Sequence, residues 1–423
     1  MKKLKAIIIS LVLVLTVCSL SACQIFFTEF PPEKTETPQG TINVSDVNIN
    51  YSTITPDREK GDLVEAVAKV YDSVVCIENL TSTQIGEGCG VIVDVSVITE
   101  DNTEEENCFY VLTCFHVIEG ADELKIKLAD DNLNYSYVFS SKNFAVSLVG
   151  GDDKTDIAIL KLDISNNTYG LTKNDITVAK LMDVRNTNLV LGEDVFAIGN
   201  PSGTLPGSVT KGIVSYINRD VEIEGNPMTL LQIDAALNQG NSGGGLFNLY
   251  GELVGMVNGG NVSYEGLNFA IPLEVGEIKE DETGIIKIMT DLIKTQTENS
   301  YGYVEGRWQL GVVVTEGSTY GPFGAQEKYV YVHTIVEGGA ISKATSSNGA
   351  KIKEGYIIDA VEIDGVKTAI TDLASFETVY AKMQQNFKIG DTFKLHLRER
   401  YSSLSTTAFT VSIEQFIYNP NFN

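Results

Sequence analysis

Three side chains in this 423-residue chain are of the types that together cleave acyl bonds: a serine, a histidine and an aspartate. Ser242 sits in Gly240-Asn241-Ser242-Gly243-Gly244, where glycines that tolerate positive φ expose a small hydroxyl at a tight turn. The N–H groups of Gly240 and Ser242 can face one spot there, the place a developing oxyanion would occupy. A serine hydroxyl is a weak nucleophile at neutral pH, so it needs a base, and the base needs an orienting acid. His116 is the one histidine before residue 300 and stands at the end of the apolar run 109–115. Asp156 opens the apolar run Ile157-Ala158-Ile159-Leu160, which holds its carboxylate at a strand end where it can accept the His116 Nδ1–H. Asp152 and Asp153 are rivals, and their polar Gly-Asp-Asp-Lys turn predicts that they stay solvated.

Elements that could hold these groups are mostly strands. The runs 73–77, 90–97, 108–113, 157–162, 194–198, 212–217, 229–233 and 252–257 are short, rich in Val, Ile, Leu or Tyr, and bounded by turn residues. Such spacing predicts a mainly β protein, a barrel or sandwich, and argues against a doubly wound α/β sheet. Before them, Leu63, Val64, Val67, Val70 and Tyr71 recur at helical spacing after Asp62, a suitable N-cap. The acidic stretch Glu100, Asp101, Glu104, Glu105 and Glu106 reads as a solvated hairpin loop. A second helix is expected around Ile285–Ile293, with an acidic start at Glu280 to Glu282. From 306 to 414, strands at 311–314, 330–335, 357–363, 392–398 and 408–413 alternate with a helical stretch at 373–384, about the size of a small domain.

Lysine and arginine total 31 against 56 acidic residues, a net charge of −25, which repels phosphate backbones and excludes nucleic acid as an expected partner. The N-terminus reads as an export signal: Lys2, Lys3 and Lys5 precede an apolar run, 6–17, too short for a span of about 20 residues. Leu20-Ser21-Ala22-Cys23 resembles a bacterial lipobox, which implies cleavage before Cys23 and a lipid on its thiol. Residues 24–60, rich in Pro, Thr, Glu and Asn, fit a flexible tether. Phe26, Phe27 and Phe30 within it suit either a membrane interface or another subunit.

The order His116, Asp156, Ser242 matches chymotrypsin-type enzymes and not subtilisins or α/β-hydrolases. TCFHVIEG at 113–120, TDIAILKL at 155–162, AIGNPSG at 197–203, GSVTKGIVS at 207–215, QIDAALNQGNSGGGLFN at 232–248, GELVGM at 251–256 and GLNFAIPL at 266–273 resemble, in register, the blocks of HtrA/Deg serine proteases. That resemblance implies a chymotrypsin-like pair of six-stranded β-barrels over 61–275, with His116 as base, Asp156 as its orienter, Ser242 as nucleophile, and the Gly240 and Ser242 amides as oxyanion hole. It also implies homotrimers, substrates that are unfolded or damaged exported proteins, a location on the outer face of the bacterial cytoplasmic membrane, and no cofactor or metal. Gly245 and Gln239 depart from the family pattern and predict a loosened loop whose oxyanion hole is set by ligand or assembly. Ala236 and Leu237 stand where the primary specificity pocket should lie and offer no counter-charge, so small or medium aliphatic residues are expected before the cut.

Residues 306–414 resemble a PDZ domain, preceded by a linker helix at 276–305 and followed by a tail at 415–423. Leu310, Gly311 and Val312 occupy the expected carboxylate-binding loop, Gly338-Gly339-Ala340 the turn into the first helix, and 354–366 and 390–400 resemble later strands. An extended C-terminal peptide would then pair with the strand at 311–314. Trp308 adjoins the loop, and His333 and His396 fall on strands without catalytic roles. Among the cysteines, Cys108 and Cys114 share a strand and cannot bridge; Cys89 with Cys114 is feasible, as are buried free thiols. A reading from another class is a peptide-binding chaperone or sensor with negligible hydrolysis.

Overall fold

The computed structural model describes residues 44–52, 61–99, 107–130, 133–200, 203–223, 226–260, 267–275, 284–297, 300–320, 326–335, 339–400 and 406–417. Cys23, the export signal, most of the tether, the acidic stretch 100–106, Glu280 to Glu282 and Gly338 lie outside them. Two compact units emerge among the described residues: a larger one running through Gln309 and including 387–391 and the C-terminal residues from Ser412, and a smaller one of 310–386 and 392–411.

In the larger unit the chain enters through β1 (Val44–Ile49), then β2 (Val74–Leu80), β3 (Ile85–Val93) and β4 (Val95–Thr99), which pairs back with β1. Next come β5 (Cys108–Cys114), β6 (Glu123–Leu128), β7 (Tyr137–Ser140), β8 (Val146–Asp152) and β9 (Ile157–Asp163). The first sheet has seven strands in the order β7-β6-β2-β3-β5-β9-β8. Six strands form the second: β10 (Asp194–Gly199), β11 (Ser208–Ile223), β12 (Asn226–Ile233), β13 (Gly245–Asn248), β14 (Leu253–Gly260) and β15 (Asn268–Pro272) close into a barrel in the order β10-β11-β12-β15-β14-β13.

The expected pair of six-stranded barrels is thus met only in the second half. In the first, the edges β7 and β8 are joined by the turn Ser141–Asn143 and Phe144, at φ 61°, so the chain crosses from edge to edge without laddering them together. Alternation of core and surface positions gives way to continuous burial where strands are covered on both faces, as in Ile157-Ala158-Ile159-Leu160, all fully buried. The helix Leu63–Val70 forms as its spacing predicts, and the Asp62 side chain accepts the Glu65 amide at its N-cap.

The helix Ile285–Thr295 is not a linker. Ile285, Ile288, Met289, Leu292 and Ile293 are fully buried in the same core as the first sheet, and the segment after it is anchored where Gly302 N–H donates to Val149 O at 2.7 Å. Gly302 must be glycine, because a Cβ there would lie 1.7 Å from Leu292 O.

The smaller unit contains β16 (Val312–Tyr320), β17 (Gln326–Ile335), β18 (Thr345–Ser346), β19 (Ile357–Ile363), β20 (Val366–Ala369), β21 (Thr392–Arg398) and most of β22 (Thr407–Ser412). They form a sheet in the order β16-β17-β19-β21-β22-β18, with β20 paired to β19. The helix Leu373–Asn386 buries Phe376, Val379 and Met383. His333 and His396 fall on β17 and β21, and His396 Nε2 lies 2.7 Å from Glu362 Oε2.

Candidate active site

His116 is presented by the end of β5. Cys114 caps the short helix Phe115–Ile118, whose buried Phe115, Val117 and Ile118 fix it to the core and leave the imidazole facing outward. Across from it, Asp156 precedes β9 with a left-handed backbone, φ 55°. An aspartate accepts this conformation more readily than most residues. The turn aims both carboxylate oxygens at one residue: Oδ1 accepts the His116 amide at 2.9 Å and Oδ2 lies 2.8 Å from His116 Nδ1. The Phe115 amide donates to Asp156 O at 3.0 Å and extends the ladder to the end of the strand.

Ser242 comes from the loop before β13. Its hydroxyl donates to Asn258 O at 3.0 Å, and Asn258 Nδ2 donates to Asp156 Oδ2 at 2.6 Å. Asn258, on β14 and nearly buried, thereby joins the serine to the histidine–aspartate pair through one side chain and its own carbonyl. Sequence reasoning missed this residue, since Val-Asn-Gly-Gly carries no pattern that marks it.

The serine loop is stitched on two sides. Cys89 N–H of β3 donates to Ser242 O at 2.8 Å, while the Gly243 amide donates to Val257 O and the Val257 amide to Gly244 O, both at 2.8 Å. Gly243, at φ 82°, has no room for a side chain, because a Cβ would lie 2.0 Å from Cys89 O. The preceding turn closes with the Asn241 amide on Asn238 O at 3.1 Å and Gly240 at φ 96°, the positive value a type II turn needs at its third residue. Among the described residues neither the Gly240 nor the Ser242 amide is spent on a protein acceptor. Gly245 has a packing reason rather than a loosening effect: a Cβ there would meet the Phe247 ring at 2.3 Å.

Ala236 is exposed and Leu237 half-buried on the segment leading to this loop, which is pinned where Asn268 Nδ2 donates to Ala235 O at 2.8 Å. In the smaller unit, Leu310 is buried with its carbonyl accepting the Ile341 amide at 2.9 Å, Gly311 has φ 65°, and Val312 begins β16.

Two sequence expectations change. Asp152 is 2% exposed, bonded by Thr155 Oγ1 at 2.6 Å and with the Arg307 guanidinium 3.5 Å away. Asp153 accepts from Gln309 Nε2 and is pushed up to about 6 by burial, with the Asp152 carboxylate adding to the effect. Asp152 is buried and Asp153 half-buried, because residues far along the chain cover them. Of the two cysteine alternatives the structure has the free thiols: none of the four cysteines described forms a disulfide, and Cys89 faces Cys76 across the ladder.

Donor atoms of Cys114, His116 and Asp156 lie within 4.8 Å of one another, a grouping that could hold a metal. Burial, helped by the Asp156 carboxylate, pushes the Cys114 thiol well above its ordinary range, and the thiol donates to Val257 O at 3.4 Å. A protonated thiol is a poor ligand, so the cluster is better suited to holding a proton than an ion.

Residues 88–256 match the trypsin-like peptidase domain. The chain is 30% identical over 313 residues to serine protease Do-like HtrB of Bacillus subtilis, covering 69% of this chain and 64% of that protein. It is 32% identical over 327 residues to serine protease Do-like HtrA of the same organism, with 74% and 61% covered. A probable periplasmic serine endoprotease, DegP-like, from Halomonas elongata is 35% identical over 217 residues, with 49% and 40% covered. The chain therefore spans less than two thirds of the length of these relatives. Residues 88–256 form a trypsin-like peptidase domain, similar in sequence to serine proteases of the HtrA type.

Proposed function

We propose that the chain is a serine endopeptidase working through an acyl-enzyme. The observation that carries this reading is the continuous hydrogen-bonded path Ser242–Asn258–Asp156–His116. When a peptide carbonyl enters, Ser242 Oγ leaves Asn258 O and attacks the carbonyl carbon while His116 takes the hydroxyl proton. Asp156, fixed by its two bonds to His116, orients the ring and stabilises the imidazolium. The Gly240 and Ser242 amides receive the oxyanion, a contribution of about 3–4 kcal/mol per donor in such sites. His116 then protonates the leaving amine, and a water deprotonated by the same ring releases the acid.

Ala236 and Leu237 supply an apolar specificity pocket for small or medium aliphatic side chains. The smaller unit, with flanking residues from 306 to 414, is a PDZ-like module; β16 is an end strand of its sheet, and Gly311 opens the loop before it. An end strand can add an extended C-terminal peptide by backbone pairing. Substrates are unfolded or damaged exported polypeptides, the chain is held to the outer face of the cytoplasmic membrane by a lipid on Cys23, and it assembles as a homotrimer. Support for these last features is the sequence resemblance and the periplasmic naming of one relative.

The Ser242 hydroxyl resting on a backbone carbonyl favours a second reading, a peptide-binding chaperone or sensor that turns over negligibly. Casein hydrolysis by the wild type and Ser242→Ala decides between them. Proteolysis abolished by the substitution is expected; a folded wild type without turnover would overturn the peptidase reading.

A further inference from the structure

The β2–β3 ladder places Cys76 directly opposite Cys89. Opposed residues of antiparallel strands have Cα atoms about 4.5 or 5.5 Å apart, within the range a disulfide spans. Cys89 is fully buried, whereas Cys76 lines a cavity of about 260 Å³ together with Glu78, Glu87, Lys127, Tyr135 and Asn200. Asn200 is itself buried, with an Oδ1 that meets no hydrogen-bond donor among the described residues. Cys76 and not Cys89 lines the cavity, so a small reagent entering it meets the Cys76 side of the pair.

Cys89 is also a support for the serine loop. Its amide holds Ser242 O, and its Sγ–H donates to Gly240 O at 3.5 Å. Gly240 is buried, and this thiol donates to a carbonyl within the turn that presents the Gly240 amide.

We propose that Cys76 and Cys89 are a reversible disulfide site, oxidised by small disulfides that enter the cavity, and that oxidation releases the Gly240 turn. The Cys76 thiolate attacks one sulfur of an external disulfide, forming a mixed disulfide and expelling the other half as thiolate. The Cys89 thiolate then attacks the Cys76 sulfur and expels the second half. Two protein thiols lose two electrons and two protons, and the external disulfide gains them as two thiols. The product has no S–H to give to Gly240 O. A buried carbonyl stripped of its donor is costly, so the turn rearranges and the Gly240 amide is no longer held for an oxyanion. Contact with Cys76 and burial both keep Cys89 protonated, so closure of the bridge speeds up as pH rises.

The disulfide goes beyond the peptidase reading, and only its effect on turnover rests on that reading. The test uses the full chain carrying Cys108→Ala, treated with oxidised glutathione, alkylated, digested and mapped by mass. A Cys76–Cys89 crosslink is expected, together with peptide hydrolysis lowered about three- to tenfold and recovered with dithiothreitol. Cys76→Ala and Cys76→Ser should keep their rate through the same treatment. Both thiols still alkylatable after oxidation, a Cys89–Cys114 bridge in their place, or a crosslinked chain with unchanged hydrolysis would overturn the proposal. Should the reduced chain show no turnover, the peptidase reading fails, while the mass map still decides the disulfide and hydrogen exchange of residues 238–244 still decides its effect on the turn.

Discussion

Asp156 grips His116 twice, taking the backbone amide on Oδ1 at 2.9 Å and the ring Nδ1 on Oδ2 at 2.8 Å. The left-handed turn at φ 55° makes this double grip possible by pointing the carboxylate back along the strand end. Ring position and ring tautomer are therefore set by one side chain.

Asp156→Asn tests the grip with little backbone cost, since asparagine shares aspartate's tolerance of positive φ. Hydrolysis should fall by about 10⁴ as the ring loses its acceptor, with thermal stability close to wild type. Asp156→Ala should lose the same activity and also unfold at lower temperature, because it strains the turn. Peptide cleavage measured beside a melting curve separates the two effects.

Asn258→Leu removes the amide that steadies Asp156 Oδ2 while keeping the bulk and the backbone carbonyl that holds Ser242. Losing a hydrogen bond to a charged group costs about 1.5–3 kcal/mol, so kcat/KM should fall about ten- to hundredfold. The acidic limb of the pH–rate profile should move as well. An unchanged profile and rate would mean that Asn258 only fills space.

Asp153 offers a stability test. Its folded-state value of about 6, against 3.8 for a free aspartate, means that the folded chain binds this proton more tightly than the unfolded chain. The group is stabilising below about pH 4 and loses that contribution as pH rises through about 6. Asp153→Asn, which cannot ionise, should therefore match wild type near pH 4 and exceed it at pH 8 by on the order of 2 kcal/mol. Urea denaturation at stepped pH gives the difference directly; a variant less stable at pH 8 would contradict the burial argument.

Leu292 checks where the larger unit ends. Because it is fully buried in the main core, Leu292→Ala should destabilise that unit by about 2–5 kcal/mol. A chain stopped after residue 275 loses this helix and should give no cooperative melt.

Much of the site was legible because its members stand at chemically marked places. His116 and Asp156 end and begin apolar strands, and Ser242 lies between glycines, so local pattern marked them as candidates and the resemblance of seven sequence blocks assigned their roles. Asn258 was not legible, since its bond to Asp156 spans 102 residues and its neighbours carry no periodicity that distinguishes it. Asp152 and Asp153 looked like a solvated turn for the same reason: Arg307 and Gln309, which cover them, are remote in sequence. Strand spacing located the mainly β fold and four of the first sheet's seven strands, but not β6, β7 or β8; β7 has only four residues and no alternation to reveal it. Ile285–Thr295 was correctly helical and wrongly a linker; amphipathicity shows that a face is buried without saying against what.

The serine loop is tied to β3 of the first sheet and to β14 of the barrel, and its chemical partners are divided in the same way. A newly made chain that has finished only its first half carries an imidazole and a carboxylate with no hydroxyl to activate. One that has finished only its barrel carries a hydroxyl with no base. Under the peptidase reading, cutting power thus arrives last in the life of the molecule, and a half-made copy cannot digest itself or its siblings.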